Sequence, residues 1–260
     1  MKAQGELRLH PEADTAILLI HGILGTPAHF APLLPLIPEN WSVCNLLLEG
    51  HGGSVRDFAA ASMAVWKRQV HDAYVMLLSK HRKVVIAAHS MGTLFAIQEA
   101  LEIPAAALFL LNVPLCIRPS IRLLRTTWHI YSGRIPPDDV WSLAAQNAYG
   151  IERDRNLLHY LGWLPQYLDL FKEIRKTRSL IAHLAVPCCA FLSRRDEMVS
   201  VKSAKFLAGN PQITLKILEN SGHFYYAAPE DVGLLCRDFC TMAAEVRRNG
   251  TSEEYRGGLF

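Results

Sequence analysis

Six apolar runs of six or seven residues recur along the chain, and longer amphipathic stretches separate most of them. The runs are TAILLI (15–20), VCNLLL (43–48), KVVIAAH (83–89), AALFLLN (106–112), PCCAFLS (187–193) and ITLKIL (213–218). Most of them lack the polar alternation of a half-exposed strand, so they suit strands buried on both faces. Residues 28–37, 62–81, 91–102, 201–208 and 229–248 carry helical spacing. Ser62 and Thr93 stand where helix starts are expected, and Pro104 closes the helix opened near Met91. Strand–helix alternation of this kind predicts an α/β protein with a mostly parallel sheet covered by helices on both sides.

One interval breaks the rhythm. Between Cys116 and Ala185 there is no convincing strand, and the pattern is helical, punctuated by Pro119, Pro136, Pro137, Gly150 and Pro165. A structureless loop of that length is improbable in a compact domain. The expected organisation is therefore a core of 1–115 and 186–260 carrying a helical insertion, 116–185. The chain should loosen only from about Asn249.

With half of its 260 residues apolar, the chain can bury a large core. Its net charge of +3 is too mild for a nucleic-acid partner, and no basic block recurs with interleaved aromatics. No segment reaches the ~20 apolar residues of a membrane span. The run AILLIHGILG follows Glu12 and Asp14 and lacks a cleavage site after it, so it reads as a strand rather than a signal segment. The expectation is a soluble, cytoplasmic protein. Six cysteines fit no paired zinc spacing and read as buried, reduced thiols.

The third run ends in AHSMG, residues 88–92, and helical spacing resumes at once. Such a strand–turn–helix context is what a nucleophile elbow requires: a sharp turn lifts the serine hydroxyl above the sheet, with small residues two before and two after. Here Ala88 and Gly92 fill those places, so alanine stands where G-x-S-x-G has its first glycine. A serine hydroxyl needs a base, and the base needs an orienting carboxylate. In an open α/β sheet these gather beyond the carboxyl ends of the strands. Asp196 follows the run at 187–193 and His223 follows the run at 213–218, giving the order Ser90, Asp196, His223. Glu197 is the alternative acid. Among the other histidines, His89 should be carried to the opposite side of the turn, whereas His21 and His51 should shape the floor and loops of the site.

An oxyanion also needs donors. One should be the backbone N–H of Met91, at the start of a helix whose dipole assists. The other should come from HGILGTP at 21–27, where Gly22 lets the backbone approach; Ile23 is the first candidate and Leu24 the second.

These motifs together resemble the α/β-hydrolase fold: HGILG after the first run, EGHGGSVRDF at 49–58, AHSMG, the Asp196-x-x-Val199 pattern and SGH at 221–223. Within that fold they are similar to the carboxylesterase and monoacylglycerol-lipase-like branch of serine hydrolases. The resemblance covers roughly 15–115 and 186–245. It implies that His223 takes the Ser90 proton during attack on an ester carbonyl, that the amides of Ile23 and Met91 hold the oxyanion, and that water then releases the acid from an acyl-enzyme. It implies no metal or organic cofactor, and it makes the insertion a cap over the active site.

The insertion holds Trp128, Tyr131, Trp141, Tyr149, Tyr160, Trp163, Tyr167 and Phe171, rings that suit either an acyl pocket or packing of the cap itself. Ten Lys and Arg against six Asp and Glu give it a local excess of positive charge, suited to an anionic substrate group or an anionic lipid surface. The substrate expected is a small to medium acyl ester, including monoacylglycerols. A thioesterase, an acyltransferase, a C–C bond hydrolase or a non-catalytic binding protein on the same scaffold stays open.

Overall fold

A computed structural model describes residues 4–118, 120–226 and 228–254, with side chains through residue 248. Seven strands form one sheet: β1 (Glu6–Arg8), β2 (Thr15–Ile20), β3 (Ser42–Leu46), β4 (Lys83–His89), β5 (Ala107–Leu111), β6 (Cys188–Ser193) and β7 (Ile213–Leu218). Their spatial order is β1-β3-β2-β4-β5-β6-β7. Only the β1–β3 pair is antiparallel. The register aligns Ile20 with Ala88, His89 with Leu111, Leu111 with Phe191 and Ser193 with Leu218. Ile20 is likewise aligned with Leu46 of β3, so the carboxyl ends of six parallel strands meet along one edge.

Alternate strand residues enter two cores. Ala16, Leu18 and Ile20 join one face with Trp66, Val70, Tyr74 and Phe95, while Ile17 and Leu19 join the other with Phe30, Trp41 and Phe239. The first face is covered by α2 (Met63–Leu78) and α3 (Met91–Glu102), the second by α8 (Pro229–Glu254). A shorter helix, α1 (Val55–Ala60), precedes α2 and starts with a reciprocal capping box between Ser54 and Asp57. Each Leu or Ile buried this way contributes about 1.5–3 kcal/mol relative to exposure. Two-sided burial is thus why the strand runs read as continuously apolar.

Residues 116–185 supply no strand among the described residues. They hold α4 (Ile121–Ser132), α5 (Val140–Ala148), a 3-10 segment (Leu157–Trp163) and α6 (Leu164–Leu180). A partly buried polar knot ties this segment to the core helices: Gln98 of α3 donates to Glu173 and Thr177 of α6, and Lys67 of α2 pairs with Glu173 at 3.2 Å. A further helix, α7 (Ala204–Leu207), follows β6.

Several expectations change. Residues 28–37 form two 3-10 turns, Pro27–Phe30 and Leu34–Leu36, instead of one helix. Residues 201–208 split into a 3-10 turn and α7. Chain looseness expected from Asn249 gives way to α8, which runs through Glu254; residues 255–260, like Pro119, lie outside the described residues. All six cysteines are free thiols, but only Cys44 and Cys188 are buried and Cys240 is exposed.

Candidate active site

Ser90 follows the last residue of β4 and precedes the first of α3, at φ 51° and ψ −123°. Residues other than glycine occupy that region only under strain. The strain is held by neighbours. The Ser90 amide donates to the Leu111 carbonyl (2.9 Å), and the Thr93 amide and hydroxyl both donate to the Ser90 carbonyl (2.9 and 2.6 Å). Thr93 thus braces the turn from inside α3 and does not start the helix. Close packing explains the small residues nearby: a Cβ on Gly92 would overlap the Ile20 carbonyl, and one on Gly22 would lie 2.8 Å from Cβ of Ser90.

His223 lies between β7 and α8. Its Nδ1 meets Asp196 Oδ2 at 2.8 Å, with both residues about 1% exposed. The other Asp196 oxygen accepts the amides of Met198 and Val199, each at 2.7 Å. With the carboxylate so fixed, the His223 ring is oriented with Nδ1–H toward it and Nε2 left bare. Burial pushes the His223 pKa down, but the Asp196 charge and hydrogen bond, joined by the Glu197 charge, outweigh it and leave it above the ordinary 6.5. Glu197, the alternative acid, meets the backbone of His223 and not its ring: Oε2 accepts the His223 amide at 3.2 Å. Burial, opposed by His223 and reinforced by Asp196, lifts the Glu197 carboxyl above its usual value.

The structure brings His223 against the serine turn. His89, the peptide neighbour of Ser90, donates through Nε2 to the His223 carbonyl at 3.0 Å, and the two rings lie 4.7 Å apart. That overturns the expectation that His89 is carried to the opposite side. No hydrogen bond joins the Ser90 hydroxyl to His223 among the described residues; such contacts are often long before substrate arrives. The His89 ring also stacks on His29 at 3.8 Å. Burial holds both imidazoles neutral, His29 down to about 3 and His89 well below 6.5.

Two more buried histidines shape the loop after β2. His21 Nδ1–H donates to the Gly22 carbonyl (2.8 Å) while its Nε2 accepts the Leu48 amide (3.1 Å). His51 Nδ1–H donates to the Glu49 carbonyl (3.2 Å) while its Nε2 accepts the Leu24 amide (3.2 Å). Each ring clamps residues 21–24 to the loop after β3, and burial lowers the His21 pKa to about 4 and that of His51 well below 6.5. Leu24, at φ 60°, therefore has its amide committed. The amides of Ile23 and Met91 have no hydrogen-bond partner among the described residues.

Most of the aromatic rings of the helical segment pack inward. Trp163 donates to the Val55 carbonyl and meets Phe58, and Trp141 lies against Tyr225 two residues from His223. Trp128 and Phe171 are exposed. No group of three His, Cys, Asp or Glu among the described residues is placed to hold a metal ion.

The sequence profile of the Alpha/beta hydrolase family matches residues 17–233, which takes in most of β2, all of β3 to β7, the serine turn and His223. The chain belongs to the alpha/beta hydrolase family. Solved structures of this alpha/beta hydrolase's shape include one reported for LipS and LipT, two metagenome-derived lipolytic enzymes (TM-score 0.71, 18% identity, 95% of this chain and 98% of that one). Another is the monoacylglycerol lipase of Paleococcus ferrophilus (TM-score 0.66, 15% identity, 95% and 100%). At those identities the likeness is one of fold. Sequence relatives include a putative carbamate hydrolase, RutD, of Escherichia coli O26:H11 (31% identical over 108 residues, 40% of this chain) and a thermostable monoacylglycerol lipase of Bacillus sp. strain H-257 (30% over 77 residues, 29% of this chain). The alpha/beta hydrolase spans 39% and 31% of the length of those two relatives.

Sequence reasoning missed Asn112 altogether. It stands at φ 52° after β5, its Oδ1 accepts the Ser193 amide (3.0 Å), and its Nδ2 reaches the Gly222 carbonyl (3.1 Å) and the Tyr226 hydroxyl (2.7 Å). Its place as the one amide side chain closing the apolar run at 106–112 was the available signal.

Proposed function

We propose that this chain is a serine hydrolase of carboxylic esters with small to medium acyl chains, including monoacylglycerols. Ser90 is the nucleophile, His223 the general base and Asp196 the residue that orients it. The observation that carries this reading is a serine at a left-handed strand–helix turn, abutted by a buried imidazole whose Nδ1 is bonded to a buried carboxylate. In that tautomer the bare Nε2 of His223 takes the Ser90 proton as Oγ attacks the ester carbonyl. The free amides of Ile23 and Met91 receive the developing oxyanion, each donor worth about 10²–10³ in rate. His223 then protonates the leaving alcohol and activates the water that cleaves the acyl-enzyme.

The core is 1–115 with 186–260, and 116–185 acts as a cap. Its outer face supports contact with an anionic lipid surface. Ile121, Leu124 and Trp128 share one exposed stripe of α4, and Leu157, Leu158, Leu161, Leu164 and Leu168 are exposed on the neighbouring elements. The Tyr131–Tyr160 ring contact, 6.2 Å between centroids, joins the two. Among the described residues of the segment, eight Lys and Arg are exposed against two acidic residues, so the charge complements anionic headgroups.

A panel of chromogenic esters of rising acyl length, run beside Ser90→Ala, tests the activity. Hydrolysis that peaks at short to medium chains and disappears in Ser90→Ala supports the reading. Equal rates in the variant, or turnover of thioesters alone, contradict it.

A further inference from the structure

His223 sits in a segment without helix or strand, so no ladder of backbone bonds fixes its peptide groups. Instead both polar ends of the residue meet buried side chains. Its N–H donates to Glu197 Oε2 at 3.2 Å, and its carbonyl accepts from His89 Nε2 at 3.0 Å, with Asn112 Nδ2 at 3.4 Å as a second donor. Glu197 is the chain neighbour of Asp196, and His89 is the chain neighbour of Ser90. Both are almost wholly buried, 3% and 1% exposed.

We propose that His89 and Glu197 are positioning residues for His223, gripping its backbone from the two sides while Asp196 orients its ring. The proposal rests on the reading of Ser90, Asp196 and His223 given above. Asp196 at Nδ1 fixes how the imidazole is turned, but it leaves the residue's Cα free to drift. The reach of Nε2 toward the hydroxyl of Ser90 depends on where that Cα lies. A carboxylate one residue after the acid and an imidazole one residue before the nucleophile set that position, so the three reacting groups share two rigid stretches of chain. A carbonyl can only accept, so His89 must keep its proton on Nε2, as burial of a neutral ring allows. Misplacement by about 1 Å costs on the order of 10²-fold in rate.

The charges facing His223 are those of Asp196 and Glu197. His89, His29 and Tyr226 face it from the end of β4, the turn after β2 and its own loop, and burial keeps all three neutral. Arg118 donates to the Asp196 carbonyl, and Arg122 donates to the Arg195 carbonyl and lies over the Trp141 ring. Removing the Glu197 charge therefore withdraws one of the two carboxylates that favour the imidazolium.

The test uses His89→Leu, His89→Gln, Glu197→Leu and Glu197→Gln in the full chain. It records kcat, KM and the pH profile on a soluble short-chain ester, with fluorophosphonate labelling of the wild type. Expected are a fall in kcat of about 10–100-fold in both leucine variants, with KM within about threefold. Glutamine at either place, which keeps the donor or the acceptor, should restore most of it. The acid limb of kcat/KM should move to lower pH in Glu197→Gln. Folded leucine variants with wild-type kcat overturn the proposal, as do glutamine variants no better than leucine. Where leucine prevents folding, the glutamine variants decide: His89→Gln with kcat near wild type and a displaced limb in Glu197→Gln support the proposal, and a collapsed kcat or an unmoved limb overturns it. A wild type that takes no label at Ser90 overturns the hydrolase reading itself, and this proposal with it.

Discussion

Ser90 is stabilised in its strained turn by others, so it is itself a cost to the fold. Strain at such a residue is worth about 1–3 kcal/mol. Glycine relieves it at an entropic cost of about 0.5–1 kcal/mol. Thermal unfolding of Ser90→Gly should therefore show a gain of about 1 kcal/mol while ester hydrolysis disappears; a loss of stability would contradict the strain. His223 gives a second prediction. As the proposed base it would work only when neutral, and its neighbouring carboxylates hold its pKa above 6.5. The rate on a soluble ester should climb with pH through a midpoint above 6.5, and a midpoint below it would contradict the electrostatic account. At this scale the sequence was informative about where side chains lie relative to strand ends, as for Ser90, Asp196 and His223, which follow β4, β6 and β7. It misjudged His89 because the side on which a ring lies depends on the twist of one turn, which spacing does not encode.

Among the elements, the loop after β2 depends on two imidazoles, its own His21 and His51 from the loop after β3. His51→Phe keeps the ring volume beside Phe58 and Trp66 but leaves the Leu24 amide without its acceptor. An unpaired buried amide costs about 1–3 kcal/mol. Denaturant unfolding should show that loss, and kcat should fall as the Ile23 amide shifts; an unchanged kcat would mean the loop holds its shape without the clamp. Strand positions were legible because burial on both faces leaves unbroken apolar runs. The exposed triplet Glu6–Arg8 carries no such signature, and β1 escaped notice. Residues 28–37 have helical apolar spacing, but Pro32 and Pro35 remove amides and crowd the preceding turn, so the backbone settles into 3-10 turns. At six residues, α1 is too short to show a period.

Across the whole molecule, buried neutral histidines make the fold sensitive to acid. His21, His29, His51 and His89 all have pKa values pushed below 6.5, chiefly by burial. The unfolded chain binds their protons more readily, so their contribution is intact above 6.5 and is lost as pH falls toward 4 and 3, the values of His21 and His29. His223 acts in the opposite sense, favouring the fold below 6.5 and fading as pH rises past its raised pKa. His71, raised by its hydrogen bond and charge pairing with Glu99, adds to that opposite sense. Four against two among the histidines, the melting temperature should drop as pH falls from 7 to 4; a flat profile would contradict these protonation states. The outer face of residues 116–185 predicts sedimentation with anionic vesicles and not with zwitterionic ones, weakened in Trp128→Asp; equal binding to both would remove the charge argument. No helix among the described residues is long and apolar enough to cross a membrane. Mass spectrometry of the chain after reaction with a fluorophosphonate tests the central claim most directly. One adduct, mapped to Ser90 and slowed severely in His223→Ala, is the predicted result. An adduct elsewhere, or none on a folded chain, would contradict it.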